Sequence, residues 1–374
     1  MQPPLVSFRN APDYGPPLAP ALDELLAPHG GWQALVQPGQ RVLVKPNLLA
    51  DAAPEQAVTT HPELVRHVIR ALRRAGAAVQ VGDSPASAMN VERVWQKSGI
   101  GEVCQSEQVP LLSFEQGGLR QVEKDGFTFG VAKAAYEADL IINLPKVKTH
   151  ALTTLTAAVK NFYGLLPGYQ KAQLHKAYPK PSHFSLLLRA LYAALPPSFS
   201  IADGIVGMEG EGPANGTPVA LGFLAASRDA VALDLALCQV LRMDPRRVPY
   251  LKDVAHLPPE RGFTATGDTP RLPRLLKIPS GAGHLLQILP ESLVRCIAPL
   301  IWVRPAFNRN CVACGRCVAA CPAQALQVAR GALPVLQAKR CIACCCCHEV
   351  CPVKAIHMRR SPLLRLLGTF RELS

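Results

Sequence analysis

Ten of the 13 cysteines in this 374-residue chain fall between residues 311 and 351. Cys311, Cys314, Cys317 and Cys321, followed by Pro322, recur 30 residues later as Cys341, Cys344, Cys347 and Cys351, followed by Pro352. The match continues into Ala325-Leu326 against Ala355-Ile356. Each half reads C-x2-C-x2-C-x3-C-P. Three thiolates at that spacing wrap three irons of one cube from a single tight loop, and the fourth, leaving the loop ahead of proline, reaches the other cube. The spacing predicts two [4Fe–4S] clusters, one on Cys311, Cys314, Cys317 and Cys351, the other on Cys341, Cys344, Cys347 and Cys321. Zinc would use two separated cysteine pairs, and the duplication argues against it. Cys345 and Cys346 are surplus to this register, and packing or N–H donation to cluster sulfurs are their expected roles. Cys104, Cys238 and Cys296 stand alone and read as buried apolar residues.

A second set of reactive side chains lies upstream, in five short polar segments: Lys45-Pro46-Asn47, Gly82-Asp83-Ser84-Pro85, the run from Asn143 to His150, Lys160-Asn161 through Gly164 with His175 beyond, and the Gly-rich run from Asp203 to Pro213. Lysines there neutralise phosphate or carboxylate. Carboxylates and histidines bind metal or move protons. The candidate catalytic residues are Asp83, Lys146, His150, Lys160 and Asp203. Lys45, Lys148 and Glu209 are the candidates for holding an anionic ligand or a metal. Taken singly, each segment also fits a turn, a helix cap or a solvated charge. The Asp203–Pro213 run reads as a Gly-rich turn or mobile flap.

The elements that must position these groups alternate. Residues 41–45, 78–81, 140–143, 200–202 and 220–225 read as short buried strands. Residues 62–75 read as a helix with Pro62 in its first turn, and residues 229–241 as an apolar-faced helix. Four of the polar segments directly follow a strand. This is the pattern of an α/β domain with a large, mostly parallel sheet covered on both faces, where ligands sit at the carboxyl ends of strands. The expected organisation is an α/β domain over 1–265, a Pro/Arg-rich connector over 266–304, a small α+β domain of bacterial-ferredoxin type over 305–360 and a basic-apolar tail over 361–374.

The segments Lys45-Pro-Asn-Leu-Leu49, Thr59-Thr-His-Pro62, Gly82-Asp-Ser-Pro85, Asn143-Leu-Pro-Lys-Val-Lys-Thr-His150, Val159-Lys-Asn-Phe-Tyr-Gly164 and Asp203-Gly-Ile-Val-Gly-Met-Glu-Gly210 together resemble the family called domain of unknown function 362. Many of its members carry a C-terminal twin-cluster module. Their second cysteine motif often reads Cys-Tyr-Cys-Cys-His-Glu, which puts Cys345 in the place of the Tyr and implies that it is no ligand. The resemblance implies an iron–sulfur protein with an α/β domain. It supplies no reaction.

Charge adds a constraint on partners. Residues 1–261 carry 25 Lys/Arg against 23 Asp/Glu, and residues 262–374 carry 15 against 4. The basic excess of the C-terminal third fits an acidic redox partner or peripheral contact with an anionic membrane surface. Nucleic acid ranks last, because Trp302, Phe307 and Phe370 give only sparse stacking residues. Met1 to Asn10 lacks the pattern of a signal peptide, so a reducing, cytoplasmic compartment is expected. The most apolar run, 284–303, is broken by Pro290 and Pro299 and carries Glu291 and Arg295, which argues against a membrane span. Two functions compete. One is an oxidoreductase passing electrons from two clusters to a small anionic substrate on the α/β domain. The other is a non-catalytic carrier or accessory protein docking a partner redox enzyme.

Overall fold

The computed structural model describes residues 2–256, 262–279, 300, 302–329 and 331–363. Cys296, most of the apolar run 284–303 and the tail beyond residue 363 lie outside the described residues.

The large domain is built on a mixed ten-stranded sheet. Its strands are β1 (Leu5–Asn10), β2 (Arg41–Pro46), β3 (Ala78–Gly82) and β4 (Leu111–Leu112), then, after a separate hairpin of β5 (Leu119–Lys124) and β6 (Phe127–Ala132), β7 (Leu140–Leu144), β8 (Lys146–His150), β9 (Thr154–Thr156), β10 (Ser198–Glu209), β11 (Thr217–Ser227) and β12 (Thr264–Gly267). The run β10-β7-β2-β3-β4 is parallel throughout. Beyond β10 the sheet turns antiparallel through β11 and β1, and β12 closes that edge parallel to β1. The sheet is therefore mixed, with its parallel half carrying the strands expected from sequence.

Alternation along the strands divides the core. Val42, Val44, Leu140, Ile142 and Ile201 pack to one face with the helices Leu18–Leu26 and Pro62–Arg74. Leu43, Ile141, Ala202 and Ala225 pack to the other with Pro181–Ala193 and Ala230–Val240. Side chains apolar on both faces are what a covered parallel sheet demands. The helix ends follow local chemistry. Pro62 opens its helix behind His61, whose Nδ1 accepts from Glu63 N at 3.3 Å. Asp229 caps the later helix by accepting from Val231 N and Ala232 N at 2.8 and 2.9 Å.

Two stretches depart from the sequence reading. Asp203 to Glu209 is neither turn nor flap but the second half of β10, which pairs first with β7 and then, past Pro145, with β8. Its glycines serve packing: a Cβ on Gly204 would stand 2.7 Å from the Phe223 ring, and one on Gly207 2.5 Å from Leu221 Cδ1. Residues 146–150, expected as a post-strand segment, form a strand of their own whose five residues are all buried.

The cysteine-rich segment pairs β13 (Val303–Phe307) antiparallel with β16 (Ile356–Arg360), and β14 (Leu326–Gln327) antiparallel with β15 (Val335–Leu336). Each cysteine loop leads into one helical turn, Arg316–Ala319 and Cys346–Glu349. Gly315 precedes the first at φ 75°, and Cys345 precedes the second at φ 65°. The structure therefore preserves the sequence repeat, with Cys345 in the left-handed conformation that glycine takes in the first half.

This segment is latched to the large domain. Arg316 donates from both Nη atoms to the Asp51 carboxylate, at 2.8 and 3.1 Å. Arg93 also reaches Asp51, at 2.7 Å. Asn215 Nδ2 donates to His348 O at 2.8 Å, and Lys354 Nζ to Gly216 O at 3.1 Å.

Candidate iron–sulfur segment and the cavity beside it

The eight repeated cysteines fall into two groups of four around two cavities. Cys311, Cys314, Cys317 and Cys351 line one, with Phe307 and Ile356. Cys321, Cys341, Cys344 and Cys347 line the other, with Pro305 and Leu326. The fourth cysteine of each half thus faces the other half's cavity, as the spacing requires. Both linings are otherwise almost wholly apolar, and thiol-only donor sets suit iron–sulfur clusters. Each crossing cysteine also accepts a backbone N–H: Cys321 Sγ from Ala325 N and Cys351 Sγ from Ala355 N, both at 3.2 Å. Among the described residues, no three His, Cys, Asp or Glu side chains are gathered for a single metal ion. The two groups differ in exposure: Cys314 is exposed, whereas its counterpart Cys344 is buried.

A third and larger cavity, about 70 Å³, lies where the segment meets the carboxyl ends of β2 and β3. The large domain supplies Asp83, Ser84, Lys148, Lys160, Lys171 and His175 to its wall, and the cysteine segment supplies Ala320, Cys346, Glu349 and Val350. Parallel strands end on this rim, so polar residues that follow them meet here.

Asp83, at the end of β3, is fixed from two sides. Lys45 Nζ stands 2.8 Å from its Oδ1, with both side chains buried, and Leu48 N donates to its Oδ2 at 2.7 Å. The backbone of Gly164 passes directly over this pair. Burial lowers the Lys45 pKa, and Asp83 offsets part of the drop. Lys148, on β8, donates to Asn47 Oδ1 at 2.7 Å and Val58 O at 2.6 Å. Burial, reinforced by the charges of Lys160 and Lys146, pushes it well below the ordinary lysine value. Lys171 donates to Ser84 O at 2.8 Å, to Ser84 Oγ at 2.7 Å and to Pro85 O, and burial lowers it to about 8. Asn161 joins the amides behind this wall, donating to Asn143 Oδ1 at 2.8 Å and accepting from Asn47 Nδ2 at 3.0 Å.

His150 bridges the domain to the segment. Its Nδ1 accepts from Leu152 N at 3.0 Å and Thr153 N at 3.3 Å, so the ring proton sits on Nε2, which lies 3.3 Å from Glu349 Oε1. Burial, with help from Lys160, drops His150 to about 3. Burial alone would raise Glu349, but its contact with His150 and the charges of Lys160 and His175 outweigh it and hold the carboxyl at about 2. Neutral imidazole and ionised carboxylate are the resulting pair.

Lys146 and Asp203 are close by but do not line the cavity. They form a closed network with Tyr14. Lys146 Nζ reaches Asp203 Oδ2 at 2.7 Å and Tyr14 Oη at 2.9 Å, Tyr14 Oη donates to Asp203 Oδ1 at 2.7 Å, and His61 N adds a bond of 3.0 Å to Oδ2. Glu209 lies apart from both, clamped by Arg274 through two bonds of 2.7 Å and by Lys277 N at 3.0 Å. The eight sequence candidates are thus divided: Asp83, Lys148 and Lys160 line the cavity, Lys45 and His150 stand immediately behind it, and Lys146, Asp203 and Glu209 are engaged elsewhere. Sequence reasoning misses Lys171, Thr156 and Glu349 as wall residues. The repeat hints at Glu349, since Ala319 stands at its position in the first half.

A mixed α/β domain with a thiol-lined, internally duplicated segment against its carboxyl rim defines an iron–sulfur protein of two unlike parts. Residues 42–239 match the family described as a domain of unknown function (DUF362), and residues 308–327 match a 4Fe–4S binding domain. The chain belongs to the DUF362 family and carries a C-terminal 4Fe–4S domain. A thylakoid-associated protein of Synechocystis sp. is 39% identical over 236 residues, which is 63% of this chain and 73% of that one. A crystal structure of a Thermotoga maritima protein aligns with a TM-score of 0.38 at 14% identity, over 59% of this chain and 57% of the other, too slight a likeness to bear on the fold.

Proposed function

We propose that this chain is an oxidoreductase that passes electrons from two [4Fe–4S] clusters to a small anionic substrate in the cavity between the α/β domain and the cysteine segment. One cluster would be held by Cys311, Cys314, Cys317 and Cys351, the other by Cys341, Cys344, Cys347 and Cys321, on a segment of bacterial-ferredoxin type spanning about 305–360. Bound there, the clusters would supply low-potential one-electron transfer. The observation that carries the reading is the wall shared by two cavities: Cys345 faces the second thiol cavity, while Cys346 and Glu349, on the next helical turn, face the lysine-lined one. The protein's own groups then divide the work. Lys160 and Lys171 attract the anion, the Lys45–Asp83 pair fixes the rim, and the His150–Glu349 contact joins the two parts around the ligand.

A non-catalytic carrier is favoured by a different observation. Val312, Leu333 and Val335 are 61%, 46% and 65% exposed, and Val312 borders the first thiol cavity, as a docking face for a redox partner would. An acidic partner suits the basic C-terminal third. The cysteine usage points to a reducing, cytoplasmic setting. The thylakoid association of the Synechocystis relative adds peripheral contact with an anionic membrane to the reading. Among the described residues no helix is long and apolar enough to cross one.

Anaerobic purification followed by iron and sulfide analysis tests the core of the proposal. About eight of each per chain are expected, with Cys314→Ala and Cys344→Ala each removing about four. Iron near one per chain, or stoichiometric zinc, would end it. Substrate-linked cluster oxidation that vanishes in a cavity variant separates the enzyme from the carrier.

A further inference from the structure

The cavity wall contains polar groups that the protein leaves unused. Thr156, at the end of β9, is 4% exposed, and its hydroxyl has no hydrogen-bond partner. His175 is 5% exposed. Its ring stacks on Phe184 at 4.2 Å and meets the Tyr163 ring edge-on at 5.6 Å, but among the described residues neither ring nitrogen has a hydrogen-bond partner. Lys160 is half-buried, and its ammonium has no hydrogen-bond partner among the described residues; it stands 5.8 Å from the Tyr163 ring centroid and feels the charge of Glu349. All three side chains line the same cavity. Burying a polar group without a partner costs enough that such groups are nearly always satisfied. Thr156 is such a group, and the half-buried Lys160 and the His175 ring line the same void without hydrogen-bond partners among the described residues, which marks the place of something that satisfies them.

We propose that Thr156, Lys160 and His175 form a subsite for a compact oxyanion, a small carboxylate or a tetrahedral oxyanion. Sign, donor character and size agree on that class. Lys160 and Lys171 face the void, with Lys148 beside them, against one carboxylate, Glu349, that lies outside the Lys45–Asp83 pair. The unsatisfied hydroxyl and ammonium both donate. A volume of about 70 Å³ is several times the roughly 10–15 Å³ that a single water needs and is on the scale of a compact anion. That suits sulfate, phosphate or a short carboxylate better than a nucleotide or a flavin. The subsite deepens the electron-transfer reading and rests on it for the ligand's role as electron acceptor. Binding itself does not depend on that role.

The test is calorimetric titration of the anaerobically purified holoprotein with sodium sulfate and, separately, sodium acetate, with AMP as an oversized control. One saturable site per chain is expected for at least one of the two anions, with no binding of AMP. Lys160→Gln and Thr156→Val should each weaken it by about tenfold or more, whereas Lys124→Gln, on the exposed hairpin, should leave it unchanged. Circular dichroism and iron content of each variant separate loss of binding from loss of fold, and the near-isosteric Thr156→Val keeps the test meaningful should Lys160→Gln misfold. Failure of both anions to saturate, or binding indifferent to Lys160 and Thr156 in folded variants, overturns the subsite. Saturable binding by protein without iron would instead sink the electron-transfer reading and leave the subsite standing.

Discussion

Replacing Gly164 by alanine probes the rim of the cavity with a single methyl group. A Cβ there would lie 2.0 Å from Asp83 Oδ1 and 2.8 Å from Lys45 Nζ. Ordinary contact needs about 3.5 Å, so the Asp83 carboxylate must retreat by more than an ångström. It has nowhere suitable to go. Its Oδ1 stands 2.8 Å from Lys45 Nζ, its Oδ2 accepts from Leu48 N, and both ion-pair partners are buried. Gly164 is itself fixed, because its carbonyl accepts from Ser84 N at 3.1 Å. The substitution therefore separates a buried ion pair, which costs about 3–5 kcal/mol. Helix propensity works the other way by at most about 1 kcal/mol and cannot offset it. At roughly 2–4 °C per kcal/mol for a domain of this size, thermal unfolding of the holoprotein should fall by on the order of 10 °C. Removing both charges in Lys45→Met/Asp83→Asn should restore part of the loss in the Gly164→Ala background, because the clash then meets no charge pair. A melting temperature within about 2 °C of wild type for Gly164→Ala alone would refute the close packing on which the cavity rim depends.

Asp234 lies in the apolar helix Ala230–Val240 and accepts from Ala158 N at 2.7 Å and Val159 N at 3.0 Å. Burial raises its pKa to about 7 despite those bonds. Because the folded value lies above the unfolded one, its contribution is fully present below about pH 4 and is lost as pH rises through about 7. Denaturant titrations of Asp234→Asn should lack that part of the pH dependence, and an unchanged slope between pH 4 and 7 counts against the assignment. Exposure of Cys314 and burial of Cys344 predict two-phase iron release to a chelator, with the fast phase missing in Cys314→Ala; one uniform phase in the wild type would contradict the asymmetry. Cys345→Gly should keep full iron content and gain up to about 1 kcal/mol from relief of the left-handed backbone. Iron loss equal to that of Cys344→Ala would show that the ligand register is shifted.

Much of the fold and part of the site are legible in the residues alone. The cysteine repeat assigns four thiols to each of two sites, and the structure groups the same residues around two cavities. Strands at 41–45, 78–81 and 140–143 are readable because they are short apolar runs ending in turn-forming residues. β8 is not. Lys146, Lys148 and His150 alternate with Val147 and Thr149 in a pattern that reads as solvated, and their burial depends on Asp203, Asn47 and Glu349, all far away in sequence. Lys171 is hidden for the same reason: it sits in a polar-looking helix, and its acceptors at Ser84 and Pro85 lie 87 and 86 residues away. Thr156 carries no local signal, because its meaning is the absence of a partner. The split of the polar candidates between the cavity and the Tyr14 network follows from side-chain direction at the rim, which periodicity does not encode.

The wall contributed by Ala320, Cys346, Glu349 and Val350 has a consequence for how the protein matures. Those residues sit on loops and turns whose other cysteines face the thiol cavities, so their placement depends on that segment being properly assembled. Until then, the side of the cavity lined by Lys160 lacks its second wall and stands open to water, where a small anion would be held weakly. Capture of the proposed anion would thereby be tied to assembly of the cysteine segment, and a chain emerging from synthesis with that segment unassembled would hold no acceptor for stray electrons.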